Sequence, residues 1–359
     1  MIYDIVIAGA GPAGSTLARL IGPGLRVMVV DQRNLDENTG FIKEKCCGGL
    51  LAPDAQKVLA EQGLGVPVEI LTGPQTFSVK SIDLDNGITR YYQRHYLNIN
   101  REKFDRWLVS LVPGTVDKRF GCIFRDFEDC GDHLEINIHN GVNEEIIKTK
   151  VLVGADGAAS RVRRKSFAWR ERAEYISIQE WYETSKVNPH YVSVFDKDTT
   201  DFYSWIIQKN NHLLLGSAIP KKEDAVARFA ALRDRMRELG YIEGNPVKRM
   251  GAAIIRPRRG RDIFTGSDKV ALVGEAAGFI SPSSAEGISY ALRSGAMLAE
   301  CINEFGMDFS KPYGMRAGKL RRNLARKNIK ALVMYNGLVR RLIMKSGILS
   351  MNADRQNIV

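Results

Sequence analysis

Three glycines at fixed spacing, Gly9, Gly11 and Gly14, directly follow the apolar run Asp4-Ile5-Val6-Ile7-Ala8. In that position the first permits a tight turn, the second lets a pyrophosphate approach the backbone, and the third lets helix and strand pack closely. Phosphates then sit on a helix N-terminus, where free N–H groups and the helix dipole favour negative charge. Asp31 ends the next apolar run, Arg26-Val27-Met28-Val29-Val30, where its carboxylate can accept hydrogen bonds from a ribose diol. The bland alternative is a glycine turn that binds nothing. Strand, helix and acid in register favour a dinucleotide.

That turn alone does not separate one dinucleotide from another, but two later segments do. Gly154-Ala155-Asp156-Gly157-Ala158-Ala159-Ser160-Arg161 follows the run Val151-Leu152-Val153, and Gly274-Glu275-Ala276-Ala277-Gly278 follows Lys269-Val270-Ala271-Leu272-Val273. A nicotinamide dinucleotide needs neither. FAD is long enough to require contacts to pyrophosphate, ribityl chain and isoalloxazine from distant parts of a chain, so non-covalently bound FAD is the expected cofactor.

These motifs resemble those of the flavoproteins that include aromatic hydroxylases and geranylgeranyl reductases. Arg101-Glu102-Lys103-Phe104-Asp105 is similar to that group's Arg-x-x-Phe-Asp helix start, where the Arg helps to hold FAD. Glu275 stands where the group has an Asp bound to ribityl. Within the group the chain resembles the geranylgeranyl reductase family, and a bacterial branch of it, through three stretches. These are Lys45-Cys46-Cys47-Gly48-Gly49-Leu50, continued by Leu51-Ala52-Pro53-Asp54-Ala55; the run from Gly274 to Phe279-Ile280-Ser281; and Tyr203-Ser204-Trp205-Ile206-Ile207-Gln208-Lys209. The last is similar to a Tyr-x-Trp-x-Phe-Pro-Lys substrate segment and departs from it at Ile207 and Gln208.

The resemblance implies cofactor contacts at Gly9, Gly11, Pro12, Ala13, Gly14, Asp31, Gln32, Cys47, Gly48, Gly49, Arg101, Cys122, Asp156, Gly157, Gly274, Glu275, Gly287 and Ile288. It makes Cys47 the catalytic candidate beside the flavin, and Tyr203 and Trp205 the substrate contacts. The reaction implied is reduction of carbon–carbon double bonds in a long apolar, polyprenyl-type substrate, with NAD(P)H or a reduced electron carrier as donor. Rival readings are a flavin monooxygenase (hydroxylase) of the same fold, and a membrane-surface flavin-binding protein without turnover. Tyr203 and Trp205 are two apart, so on a strand they share a face, as ordinary core aromatics also would.

The elements that must position these residues follow from pattern. The opening strand, glycine turn, helix and second strand form a β-α-β unit. Residues 36–50 read as loop. Short alternating segments around Asp85-Asn86-Gly87 predict a hairpin over 77–92, because Asn-Gly supplies the positive φ of a tight turn. Helices are predicted at 101–111, from Phe104, Trp107, Leu108 and Leu111 on one face, and at 223–239. Strands are expected over 120–153 and 175–219. The fold class is therefore α/β: a Rossmann-like FAD-binding domain with an inserted β-rich substrate domain and a helical C-terminus. The FAD domain is expected over 1–70, 97–165 and 262–310, the substrate domain over 71–96 and 166–261, and the C-terminal segment over 311–359.

A chain of 359 residues is long enough for about two cores. No apolar run reaches the ~20 residues of a spanning helix, and the opening Met1-Ile2-Tyr3-Asp4 lacks a secretory pattern, so a cytoplasmic location is expected. Neither the five cysteines nor the five histidines form a zinc-finger pattern, and no metal is expected. The net charge of +11 is concentrated: from Lys311 to Val359 there are twelve Lys or Arg against Asp354 alone, leaving residues 1–310 neutral. No recognition motif for nucleic acid accompanies that charge. The expected partners are an apolar small-molecule or lipid substrate and, through 311–359, an anionic membrane surface at the inner face. The same segment carries apolar residues at Leu324, Ile329, Leu332, Val333, Leu338, Val339, Leu342 and Ile343. On the bland reading this stripe packs one long helix onto the body.

Overall fold

The computed structural model describes residues 1–36, 45–166 and 173–351. Part of the loop expected at 36–50 and the last residues of the basic tail, 352–359, lie outside the described residues. The chain begins with β1 (Ile2–Ala8), α1 (Pro12–Leu20) and β2 (Val27–Asp31). It continues through β3 (Leu50–Leu51), α2 (Pro53–Glu61), β4 (Thr76–Asp83), β5 (Ile88–Asn98) and α3 (Arg101–Ser110). Next come β6 (Asp117–Phe120), β7 (Ile123–Asp129), β8 (Leu134–His139), β9 (Glu144–Gly154) and α4 (Arg161–Ser166). Then follow β10 (Glu174–Glu183), β11 (His190–Phe195), β12 (Ser204–Lys209), β13 (His212–Pro220), α5 (Ala225–Glu238) and β14 (Lys248–Ile255). The chain ends with β15 (Gly266–Ser267), β16 (Val270–Leu272), α6 (Gly274–Ala277), α7 (Ile288–Phe305), α8 (Ser310–Arg316), α9 (Gly318–Tyr335) and α10 (Gly337–Ser346).

Two eight-stranded sheets organise these elements. In the first, the order is β15-β16-β9-β1-β2-β6, with β8 pairing both β7 and β9. The three apolar runs that precede the glycine and Asp motifs are thus parallel neighbours: Ile5 is opposite Val27 on one side and Val151 on the other, and Leu152 is opposite Val270. Parallel strands must be covered on both faces, and alternation on β1 does this. Ile5 and Ile7 pack with Leu17, Leu298 and Ile302, while Val6 and Ala8 pack with Phe124, Ile136 and Leu272. All three strands therefore deliver their following loops to one edge, where α/β sheets bind ligands.

The second sheet runs β14-β10-β13-β12-β11-β4-β5-β3. The β4–β5 hairpin turns at Gly87, φ +64°, and joins the later strands by parallel pairing of β4 with β11, Ser78 opposite His190. Helix α5 covers one face, burying Phe229, Leu232 and Met236 against Ile206, Leu215 and Ile219. The other face carries Tyr203, Trp205, Ile207, Tyr191 and Phe195 and meets the first sheet's loops.

The C-terminal segment corrects the expectation of one long helix packed by its apolar stripe. It is three helices, with Asn336 capping α10 by accepting from the Leu338 and Val339 N–H groups. Of the stripe, Leu324 is buried, whereas Ile329, Leu332, Val333, Leu338, Val339, Leu342 and Ile343 are exposed. Beside Leu324, the inward positions are held by Leu320, Ala331, Arg340 and Met344, none of them in the stripe. Beyond Leu324, the periodic apolar residues share a face that points away from the body.

Candidate functional site

The glycine turn after β1 is shaped by close approach. Gly9 has φ +112°, donates its N–H to the Val30 carbonyl at 2.7 Å, and leaves no room for a Cβ against the Ala155 carbonyl. A Cβ on Gly14 would overlap the Gly9 carbonyl. At Gly11 nothing lies within 4 Å of where a Cβ would stand, so this is the side left open to a ligand. Gly11 caps α1 without a side-chain hydrogen bond, and Pro12 occupies the first turn. The N–H groups of this first turn include those of Ala13 and Gly14, and the helix dipole there favours negative charge. The late motif closes on the same spot: a Cβ on Gly274 would sit 3.1 Å from Ala13 Cβ.

Asp31 ends β2 and starts a buried chain of alternating charge. Its Oδ2 accepts the Ala10 N–H at 2.8 Å, and its Oδ1 accepts the Arg33 N–H at 2.8 Å. The Arg33 guanidinium spans Asp31 and Asp105, with Nη1 2.6 Å from Asp105 Oδ2. Arg101 donates from Nε to Asp105 Oδ1 at 2.8 Å and reaches Cys47 Sγ with Nη1 at 3.4 Å. Burial raises the Asp105 carboxyl, but Arg101 and Arg33 outweigh it and hold the pKa below the usual value. Burial likewise opposes ionisation of Cys47, and Arg101 together with the Gly49 N–H reverses this, so its thiol is more acidic than an ordinary cysteine. In Cys46 burial dominates and pushes the thiol up to about 11. The two neighbouring thiols are therefore shifted in opposite directions, Cys47 toward the thiolate and Cys46 away from it.

Asp156 follows β9 beside the glycine turn. One oxygen accepts the Arg161 N–H at 2.7 Å and the Val162 N–H at 3.3 Å. The other, Oδ1, is buried with no partner among the described residues, and burial raises the carboxyl pKa. Gly157 has φ +77°. Glu275 Oε1 accepts the Ile255 N–H at 3.3 Å, at the end of β14. Gly287 caps α7 without a side-chain bond, and Ile288 begins that helix. Gln32 is exposed after β2. Cys122 donates its N–H to the Asp31 carbonyl at 3.1 Å while its thiol packs in the core, so it meets the site through its backbone.

Opposite the Cys46–Gly49 loop stands the aromatic face of the second sheet. Cys46 Sγ lies 3.8 Å from Ser177 Oγ, and a Cβ on Gly48 would sit 2.8 Å from Ile207 Cδ1. Lys209 donates to the carbonyls of Gly49 at 2.8 Å and Ile99 at 3.0 Å and to Asn98 Oδ1 at 2.5 Å. Burial pushes its ammonium down to about 7. Tyr203 donates to the Ser284 carbonyl at 2.8 Å, which ties this sheet to the loop after α6. Trp205 lies over Gly216, and Gln179 is opposite Gly216 on the next strand. Trp205 Nε1 and Gln179 Oε1 are both buried without a partner among the described residues.

The open side of Gly11, the uncapped start of α1 and the orphaned Asp156 oxygen fit FAD. Sequence reasoning missed Arg33, the ionic role of Asp105, the buried amine of Lys209, and Gln179. Asp105 and Lys209 stood in quoted motifs; Arg33 and Gln179 had no local signal. It also missed Gly295, where a Cβ would overlap the Ala13 carbonyl and part α7 from α1. Cys130, His133 and Glu135 bring potential metal-ligand atoms within 4.8 Å of one another on the β7–β8 hairpin. Glu135 also pairs with Lys148 at 3.1 Å.

Comparison with known proteins supports FAD as the cofactor. A family described as an FAD binding domain matches residues 2–305. Over 346 residues the chain is 38% identical to the protein CbrA of Escherichia coli O1:K1 / APEC, covering 96% of this chain and 94% of that protein. A geranylgeranyl bacteriochlorophyll reductase-like protein from Thermoplasma acidophilum has a TM-score of 0.79 at 18% identity, covering 96% of this chain and 90% of that one. The pqsL protein of Pseudomonas aeruginosa, a probable FAD-dependent monooxygenase, has a TM-score of 0.69 at 19% identity, covering 97% and 100%. At such identities these two speak for the fold alone.

Proposed function

The chain belongs to the FAD-binding domain family and binds FAD, and from that premise we propose that it reduces carbon–carbon double bonds of a long apolar, polyprenyl-type substrate. The carrying observation is the aromatic face of Tyr191, Tyr203, Trp205 and Ile207, set against the Cys46–Gly49 loop. Bound FAD, once reduced by NAD(P)H or an electron carrier, supplies the hydride. The residues supply the rest. The α1 start and Asp156 hold the cofactor, and the Asp31–Arg33–Asp105–Arg101 chain fixes the loop that carries Cys47. The aromatic face excludes water and orients an apolar chain. Cys47, with its thiol more acidic than usual, is the catalytic candidate for holding or releasing a proton at Sγ.

One observation favours a second reading, a hydroxylase of the same fold. The orphaned Trp205 Nε1 and Gln179 Oε1 offer a donor and an acceptor that a plain hydrocarbon leaves unmet. The test mixes anaerobically reduced protein with polyprenyl alcohols and phosphates and follows flavin reoxidation, with product mass by spectrometry. Reoxidation with a product gaining two hydrogens is expected. A product gaining oxygen, with matching oxygen consumption in air, would instead establish the hydroxylase. Trp205→Ala is expected to retain FAD and lose substrate-dependent reoxidation by at least about tenfold, as pocket contacts are worth about 1–3 kcal/mol.

A further inference from the structure

Helices α9 and α10 dock on the body by means that leave their long apolar side chains outside it. On α9 the inward residues are Leu320, Leu324 and Ala331, followed by Tyr335, which donates to the Ser283 carbonyl at 2.9 Å. Ile329, Leu332 and Val333, three and four apart, share the opposite face. Helix α10 is fixed mainly by charge. Arg340 donates to Asp83 at 2.7 and 3.0 Å and to Asp85 at 2.8 Å, and Arg90 donates to the Met344 carbonyl at 2.7 Å. With Arg340 and Met344 turned inward, Leu338 and Leu342 one turn apart face outward, 73% and 69% exposed. Leu332 is 74% exposed.

Around this apolar ridge lie Arg322, Arg326 and Lys330 on α9 and Arg341 and Lys345 on α10, all exposed. None of the five pairs with a carboxylate among the described residues. No Asp or Glu occurs between Lys311 and Met351. Two of the segment's other cations serve the fold: Lys327 pairs with Asp54 at 3.3 Å, and Arg321 donates to Thr265 at 3.3 Å. Five exposed cations without a carboxylate partner among the described residues thus border the ridge.

Few partners satisfy both features. A second copy would cover the leucines but bring uncompensated like charges together. Nucleic acid would neutralise the charge and leave the leucines in water. An anionic bilayer takes both, with headgroups receiving the cations and the headgroup–acyl boundary receiving the leucines. We propose that the outward face of α9–α10 is a docking surface for an anionic membrane, with Ile329, Leu332, Leu338 and Leu342 entering the bilayer interface. No helix of the described residues is long and apolar enough to cross a membrane, so the element lies on the surface. Met334 and Tyr335, at the end of α9, pack with the cluster that contains Tyr203 and Trp205. Docking therefore leaves the aromatic cluster on the body side of α9, with that helix between it and the lipid.

Cosedimentation of the full holoprotein with vesicles tests this, comparing phosphatidylglycerol-containing vesicles with pure phosphatidylcholine at low and high salt. Three proteins are needed: wild type, the triple variant Leu332→Ser, Leu338→Ser, Leu342→Ser, and the quadruple variant Arg322→Gln, Arg326→Gln, Arg341→Gln, Lys345→Gln. All these positions are exposed, so FAD absorbance and melting temperature should stay as in wild type. Wild type should bind the anionic vesicles alone, and each variant should bind at least tenfold more weakly. Leu338→Trp supplies a readout in an otherwise wild-type protein: its emission should shift to the blue on anionic vesicles. Wild type that ignores anionic vesicles at low salt, or a serine variant that binds as wild type does, would overturn the proposal. So would a wild-type dimer that the serine substitutions convert to monomer, which would make the ridge an interface between copies.

Discussion

Lys209 is a buried amine that meets three oxygens but no carboxylate among the described residues. Its ammonium is held down at about 7, against an ordinary 10.5. Below pH 7 it is charged in both the folded and the unfolded chain. Between about 7 and 10.5 it is neutral when folded and charged when unfolded, so the unfolded chain binds more protons and stability rises with pH. The slope from this group is at most about 1.4 kcal/mol per pH unit. Urea unfolding of wild type and Lys209→Met across that window should show a rise in the wild type that the variant lacks. Parallel curves would mean that the three oxygens keep the ammonium charged. Residues of this kind were half legible in the sequence. Gly9, Gly11 and Gly14 declare themselves because a phosphate turn fixes their spacing. Lys209 could be quoted as the end of a motif but not recognised as buried, since its partners at Gly49, Asn98 and Ile99 come from other strands and loops. Arg33 and Asp105, 72 residues apart, are the same case.

At the scale of elements, alternation on β1 and the parallel runs before each motif were readable, because a sheet covered on both faces leaves apolar strands with glycine-rich exits. The contact between α1 and α7 was not. Gly295 lies inside an apolar helix, where a lone glycine reads merely as a weak helix former. Packing gives it a purpose, since a Cβ there would overlap the Ala13 carbonyl, in the first turn of α1. Gly295→Val should cost about 1–3 kcal/mol of stability by overpacking. Because the strain falls on α1 itself, FAD affinity should drop as well. Titration of the apoprotein with FAD, beside thermal unfolding, separates the two effects. A variant that melts early yet binds FAD with unchanged affinity would show that α1 does not transmit the strain. The apolar stripe of α9 and α10 taught a related lesson: a period of 3.6 names a face of a helix, but only the rest of the fold says what that face meets.

Across the whole molecule, segments far apart in sequence are joined by polar ties as well as by apolar clusters. Tyr203 binds the loop after α6, Lys209 binds the Cys46–Gly49 loop, and Arg340 binds the β4–β5 hairpin through Asp83. The last tie spans 257 residues, which is why no local pattern announced it. Its ends are 7% and 0% exposed. Breaking one partner of such a buried pair leaves an uncompensated charge and costs roughly 3–5 kcal/mol. The cost should fall toward the lower end here, because Asp85 still holds Arg340 at 2.8 Å. The loss should also be local, since α10 packs on the β4–β5 hairpin and not on the glycine turn. Asp83→Ala is therefore expected to expose α10 to trypsin at Arg341 and Lys345 while the protein keeps its FAD absorbance. Replacing both charges, Asp83→Leu with Arg340→Met, should recover part of the protection, because the buried pair becomes apolar and only the partly exposed Asp85 loses its cation. Mass spectrometry of timed digests reads the order of cleavage. If Asp83→Ala is cut no faster than wild type, the ion pair is not what holds the end of the chain in place. If it loses FAD at the same rate as it is cut, the two sheets unfold as one unit and the tie is global.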